Sequence, residues 1–282
     1  MKKILSLDGG GMRGIVTLKV LQEIESDFDL IVGTSTGALI GTFLAYDYTP
    51  EEILDLYINH REDIFDRRKR SRLGLSLINY KYDNDKFKDL LFEHFSYDSV
   101  SDVEQKLMVN AFDMNQMEPK LFKSYKKDST PLYVAVLASC SAPTYFKPVE
   151  YEENILIDGG VAINNPALSA LVEAEKLWPD EELKLVSLGT TKAKSYFDYD
   201  EVTSWGLARW ASPLVSILTD GQLNTTDYLT SKYCENDPQK EFIRVQHKTG
   251  VNISLDDTDA VDELMELSEE VIDENIEKIE QV

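Results

Sequence analysis

The chain has 282 residues, 43% of them apolar and 28% charged, with a formal net charge of −22 at pH 7. That length and apolar content suffice for one substantial core and demand no second domain, while the acidic balance repels nucleic-acid phosphates and excludes general binding to them. No uninterrupted apolar run reaches the roughly 18 residues of a membrane-spanning helix, and Cys140 and Cys234 stand alone, without metal spacing or a redox pair, as ordinary thiols of a reducing, cytoplasmic protein.

Met1-Lys2-Lys3-Ile4-Leu5 starts like a signal peptide, but its apolar stretch ends at Asp8 and no small-residue cleavage site follows. Ile4-Leu5-Ser6-Leu7 reads instead as a buried strand that runs into Asp8-Gly9-Gly10-Gly11-Met12-Arg13-Gly14. A helix over about residues 14–25 follows, with Ile15, Leu18, Leu21 and Ile24 on its buried face. Leu30-Ile31-Val32 is a second strand, ending in Gly33-Thr34-Ser35-Thr36-Gly37, and the small and apolar residues 38–46 suit a helix enclosed by the core. Thr49-Pro50-Glu51-Glu52 signals another helix start, with Thr49 as cap, Pro50 in the first turn and Glu52 three residues on.

Cations at Arg67, Arg68, Lys69, Arg70 and Arg72 lead into Leu73-Gly74-Leu75-Ser76-Leu77-Ile78. That juxtaposition suits a peripheral membrane-docking loop or an active-site lid, and equally a solvated loop ahead of a buried helix. Residues 83–95 are amphipathic at helical spacing, residues 106–112, 155–157 and 183–188 are apolar strands, and residues 134–141 form a small-residue helix stopped by Pro143. Residues 193–250 carry the weakest pattern, with one short strand over residues 242–245. From residue 256 to the end, Val261, Leu264, Met265, Ser268, Val271, Ile272, Asn275, Ile276 and Ile279 fall near one helical face and acidic residues cover the other. This reads as a closing amphipathic helix, with a partner-binding helix as the alternative. The alternation of strand, glycine turn and helix predicts an α/β layered fold with a mainly parallel sheet and one domain over residues 1–282, its motifs within about 1–192 and a mostly helical part over about 193–282.

A serine inside Gly-x-Ser-x-Gly between strand and helix is the nucleophile elbow of acyl hydrolases. The first glycine turn admits a second reading, because Gly9, Gly11 and Gly14 also fit the dinucleotide fingerprint, with Asp27 or Asp29 as the ribose acid. Asp8, a carboxylate where pyrophosphate would lie, stands against that reading; the same backbone N–H groups suit an oxyanion. The Ser35 elbow tips the choice. Its hydroxyl needs a base. His60 and His94 fall among charged helical residues where a surface position is expected, and His247 follows the short strand as the one histidine to keep in view. Asp158, ending an apolar strand ahead of Gly159-Gly160, is the stronger choice, because a buried carboxylate with a raised pKa can take the Ser35 proton directly.

Taken together, Asp-Gly-Gly-Gly-x-Arg-Gly, Gly-Thr-Ser-Thr-Gly, and Asp158-Gly159-Gly160 followed by Asn164-Asn165-Pro166 resemble the patatin-like phospholipase family. The similarity continues through Ile64-Phe65-Asp66, Phe112-Asp113, the run from Ala138-Ser139-Cys140 to Tyr145-Phe146, and Ser187-Leu188-Gly189-Thr190, and so covers about residues 1–192. The resemblance implies a three-layer α/β/α fold and a Ser–Asp dyad of Ser35 and Asp158, without histidine, metal or other cofactor, acting on acyl esters of membrane phospholipids. It places Gly10 and Gly11 as oxyanion donors, Gly9 and the Thr36 N–H as helpers, and Arg13 as a brace of the glycine loop or a partner of lipid phosphate. Tyr145, Phe146 and the Leu73–Ile78 stretch are candidates for the lining of the acyl slot. Peripheral membrane contact, a cyclic-nucleotide activator in antiviral defence and homo-oligomerisation accompany that reading; a catalytically weak lipid-binding or storage protein of the same fold is the alternative.

Overall fold

A computed structural model of the chain describes residues 1–24, 27–67, 80–193, 197–251 and 253–282. The run from Arg68 to Arg72, the stretch from Leu73 to Ile78 and the end of the first predicted helix lie outside them.

The N-terminal third alternates strand and helix as the pattern predicts: β1 (Lys2–Leu7), α1 (Gly14–Gln22), β2 (Leu30–Thr34), α2 (Thr36–Ala45), α3 (Pro50–Asn59) and α4 (Arg61–Ile64). At the start of α3, Thr49 and Glu52 form the expected capping box, with Pro50 in the first turn. The short strands β3 (Asp66–Arg67) and β4 (Tyr82–Asp83) pair antiparallel ahead of α5 (Asp85–Phe95). Next come β5 (Leu107–Asp113), β6 (Glu118–Lys123), α6 (Leu132–Ser139), β7 (Val149–Tyr151), β8 (Asn154–Asp158), α7 (Ala167–Leu177) and β9 (Leu183–Leu188). The last part holds β10 (Lys192–Ala193), α8 (Tyr199–Thr203), α9 (Leu207–Glu235), β11 (Lys240–Val245), β12 (Lys248–Thr249) and α10 (Val261–Ile279).

Among the described residues the main sheet runs β11-β9-β1-β2-β5-β8-β7, with β6 branching from β5. The pairs from β11 to β5 are parallel, and β6, β7 and β8 close one side antiparallel. Successive side chains of a strand point to opposite faces, and both faces here are covered. Ile4, Leu30 and Val32 pack with Ala170, Leu171 and Ala174 of α7 on one side. Leu5, Leu7 and Ile31 pack into a larger cluster with α1, α2, α3, α5, α6 and α10 on the other. The result is the three-layer α/β/α arrangement. Burial on both faces explains why β1, β2 and β9 are largely apolar, broken by few polar residues such as Ser6, Lys184 and Ser187, rather than alternating.

The tail closes the fold as a helix packed on α1 and β11. Leu264, Leu267, Ser268, Val271, Asn275 and Ile279 are buried, while Ile276, expected on the same face, is 43% exposed. Ser268 and Asn275 sit inside without penalty because their side chains donate to the carbonyls of Leu264 and Val271, at 2.6 and 2.9 Å.

The register sets up the site. β1, β2 and β9 each end in a turn at the same, carboxyl edge of the parallel sheet, the edge where open α/β sheets bind ligands. Thr34 lies opposite Asn110 of β5, and the next residue of β5, Ala111, faces Asp158, the last residue of antiparallel β8. Two chain segments that run in opposite directions therefore finish side by side.

Candidate active site

Ser35 sits at the tip of the β2–α2 turn with φ 53° and ψ −122°, a conformation that non-glycine residues seldom adopt. The flanking glycines are sterically required, because a Cβ on Gly33 would lie 2.2 Å from the Gly37 carbonyl oxygen and one on Gly37 would lie 2.3 Å from that of Leu7. Hydrogen bonds hold the strained residue on three sides. Its N–H donates to Ser139 Oγ at 2.9 Å, its carbonyl accepts from Leu39 N at 3.0 Å and from the Cys140 thiol at 3.1 Å, and its Oγ donates to Asp158 Oδ2 at 2.7 Å.

The second oxygen of Asp158 accepts the Gly160 N–H at 2.7 Å. The side chain is buried, and desolvation pushes its pKa up to about 6 although the bonds from Ser35 and Gly160 favour the carboxylate. Burial and the nearby Asp158 charge push the Cys140 thiol well above its ordinary range, so it stays protonated and serves as a donor.

The glycine turn lies against the elbow, since a Cβ built on Gly9 would be 3.3 Å from Ser35 Cβ. Gly9 was expected to help bind an oxyanion, but its N–H donates to the Asn164 carbonyl at 3.0 Å, which takes it out of the set of donors. Among the described residues the N–H groups of Gly10 and Gly11 have no protein partner. The Arg13 side chain reaches back to the glycine loop. Its Nε donates to the Gly10 carbonyl at 3.3 Å, and burial pulls its pKa down. Thr190 Oγ1 donates to the Gly9 carbonyl at 2.9 Å, and Tyr57 OH to that of Gly11 at 2.7 Å. Tyr57 OH also contacts Thr36 Oγ1, beside Ser35.

The remaining residues singled out in the sequence lie elsewhere. Asp29 bonds Lys2 Nζ at 2.8 Å and the Lys3 N–H at 2.9 Å, at the start of β1 and so at the opposite end of that strand from the glycine turn, where it cannot serve as a ribose acid. Asp8, completely buried, is gripped by Arg244 of β11 through Nη1 at 3.1 Å and Nη2 at 2.5 Å. His60 caps α3 and meets Asp63 at 3.4 Å, and His247 pairs with Glu274 at 2.6 Å. His94, expected at the surface, is half-buried against Phe43 and bonds Tyr48 at 3.0 Å. Phe146 packs with Phe65 and Tyr82. Nothing in the sequence singles out Tyr57, which lies in an ordinary amphipathic helix. Ser139, Asn164 and Thr190 were visible only as parts of motifs, without a role.

Residues 5–171 match the family model described as patatin-like phospholipase. Patatin-like protein 2 of Arabidopsis thaliana is 29% identical over 307 aligned positions, covering 87% of this chain and 75% of that protein. A protein of Solanum tuberosum named probable inactive patatin-3-Kuras 1 is 27% identical, over 91% of this chain and 82% of its own length. A cGAMP-activated phospholipase of Pseudomonas aeruginosa is 28% identical, over 80% of this chain and 73% of its own length.

Proposed function

The chain belongs to the patatin-like phospholipase family, and from that premise we propose that it is a serine acyl hydrolase cleaving the carboxylic esters of membrane phospholipids through a Ser35–Asp158 dyad. The observation that carries the reading is the 2.7 Å hydrogen bond from Ser35 Oγ to a buried Asp158 whose pKa is lifted toward neutrality. A carboxylate of that strength at neutral pH is ionised yet basic enough to share a serine proton as the bond to carbon forms.

In the proposed cycle Ser35 Oγ attacks the ester carbonyl carbon while Asp158 Oδ2 takes its proton. The carbonyl oxygen becomes an oxyanion and turns toward the N–H groups of Gly10 and Gly11, with the Thr36 N–H at the start of α2 as a third donor. Each such donor contributes about 3 kcal/mol to the transition state. Protonated Asp158 then returns the proton to the leaving alkoxide, and the lyso-lipid departs. Water enters and attacks the acyl carbon as Asp158 takes its proton; the bond from that carbon to Ser35 Oγ then breaks, Asp158 returns the proton to Ser35 Oγ, and the fatty acid leaves. No step calls on a metal.

Hydrolysis of a fluorogenic phospholipid, measured with chelator present for the wild type beside Ser35→Ala and Asp158→Ala, tests the dyad. The expected outcome is turnover by the wild type alone, with all three proteins folded; full turnover by either variant refutes the mechanism. No helix among the described residues is long and apolar enough to cross a membrane. Access to lipid is proposed to be peripheral, from the cytoplasm.

A second reading adds regulation. Similarity to the cGAMP-activated phospholipase of Pseudomonas aeruginosa favours an enzyme held silent until a cyclic nucleotide binds, as an effector of antiviral defence, with homo-oligomerisation as one route to the active state. Equal hydrolysis with and without a panel of cyclic nucleotides removes it. The alternative of a catalytically weak lipid-binding or storage protein, toward which a relative named probable inactive points, has against it that Ser35, Asp158 and loop N–H groups with no partner among the described residues occur together.

A further inference from the structure

A loop of three consecutive glycines is a poor place to keep oriented dipoles. Glycine backbones visit more of conformational space than any others, whereas an oxyanion site works only when its donors are already aimed before charge develops. Something outside the loop must fix it. The peptide unit is planar and trans, so its C=O and N–H point in opposite directions, and holding the oxygen aims the hydrogen.

Three carbonyls of this loop are held in succession. Thr190 Oγ1 holds Gly9 at 2.9 Å, Arg13 holds Gly10 through Nε at 3.3 Å and N–H at 3.2 Å, and Tyr57 OH holds Gly11 at 2.7 Å. The first of these peptides carries the Gly10 N–H and the second the Gly11 N–H, the two loop donors without a protein partner among the described residues. The third carries the Met12 N–H, which is already committed to the Leu255 carbonyl at 2.8 Å.

Resting on the hydrolase reading above, we infer that Thr190 is a positioning residue for catalysis: its hydroxyl, by holding the Gly9 carbonyl, aims the Gly10 N–H at the developing oxyanion on the Ser35-bound carbonyl. Thr190 is suited to the task because it is itself fixed. It is 2% exposed, it follows β9, whose Leu188 accepts the Asp8 N–H at 3.0 Å, and the carbonyl of neighbouring Gly189 is held by Thr17 Oγ1 at 3.2 Å. It also sits in the space a Gly10 side chain would occupy, with its Oγ1 2.1 Å from that Cβ position, so any residue larger than glycine there would expel the brace.

The test compares Thr190→Val, which keeps the β-branched shape and removes only the hydroxyl, with Thr190→Ser, which keeps the hydroxyl. Two rates are measured: kcat and KM on a fluorogenic ester, and the second-order rate at which a fluorophosphonate labels Ser35, a reaction that also develops charge on oxygen. Thr190→Val is expected to lose about ten-fold in kcat and in labelling rate, a part of the hundred-fold or more that outright loss of one donor costs. KM and melting temperature should barely move, and Thr190→Ser should recover most of both rates. Wild-type rates in Thr190→Val overturn the inference, as does equal loss in both variants, a change confined to KM, or a loss matched by the unfolded fraction. Ser35→Ala run in parallel separates the layers. If it is inert while Thr190→Val is fully active, only the role of Thr190 falls; if Ser35→Ala still turns over ester, or wild type is neither active nor labelled with the cyclic-nucleotide panel present, the hydrolase reading falls and takes the inference with it.

Discussion

At the scale of single residues, the proposed mechanism sets activity against stability at Asp158. Its carboxyl has an ordinary value of 3.8 and is raised by burial to about 6 in the folded protein. The folded state therefore binds this proton more tightly than the unfolded chain, so the stability it contributes is complete below the unfolded value and is lost as pH rises through about 6. Catalysis runs the other way, since the base must be ionised, and kcat/KM should fall below an apparent pKa of about 6. Asp158→Asn separates the two effects: its amide can accept from Gly160 and donate to Ser35 without charge. The variant is expected to be inactive yet more stable than wild type at pH 8, by about 1–3 kcal/mol for a shift of this size, with the advantage vanishing near pH 4. Urea denaturation at the two pH values checks this, and a variant less stable at both would mean that the carboxylate's hydrogen bonds outweigh its desolvation. The pairing of Ser35 with Asp158 was legible in the sequence because an elbow serine and a strand-ending Asp-Gly-Gly are local patterns. Tyr57 and Thr190 were not, because they touch the loop across 46 and 181 residues of chain and look like any other helical tyrosine or post-strand threonine.

Between elements, β11 is bound to β1 through a buried charge. Arg244 meets Asp8 through both terminal nitrogens, donates to Ser187 of β9 at 2.8 Å and places Nε 2.9 Å from Asp227 of α9. One side chain thus ties three strands and a helix at the edge where the glycine turn begins. Arg244→Met would leave the Asp8 carboxylate buried and unpaired, a loss of about 3–5 kcal/mol. Desolvation already lifts Asp8 to about 6, so its negative form weakens the fold as pH rises, and the deficit of the variant should be larger at pH 8 than at pH 5. A deficit independent of pH would assign it to packing alone. The contact also shows why residues 193–250 were hard to read. The partner of Arg244 lies 236 residues away, and α9, 29 residues long, contains Pro213, which ordinarily breaks a helix. Leu214, Ile217, Leu218, Tyr228 and Leu229 remain exposed along it, so no clean apolar stripe marks its axis. The hairpin strand β6, Glu118–Lys123, was hidden for a related reason, because its charged residues and Pro119 carry an edge-strand composition rather than an apolar run. Strands buried on both faces were found at once.

Over the whole molecule the net charge of −22 makes the approach to lipid depend on the surface it meets. An anionic bilayer repels such a protein, and the repulsion reaches about 30 Å at 0.01 M salt but only about 8 Å at 0.15 M. Two charge patterns in the sequence compete in setting the outcome. The acidic face of α10, with Glu266, Glu270, Asp273 and Glu277, adds to the repulsion, while the sequence places Arg67, Arg68, Lys69, Arg70 and Arg72 in one short run, a local positive site that salt would weaken. If the overall field dominates, hydrolysis of vesicles rich in anionic phospholipid should rise several-fold between those two salt concentrations, and hydrolysis of zwitterionic vesicles or of a soluble neutral ester should stay level. If the basic run docks first, the anionic rate should instead fall with salt, and replacing its five cations by glutamine should flatten the response without touching turnover of the soluble ester, since the chemistry at Ser35 does not depend on how the surface is reached.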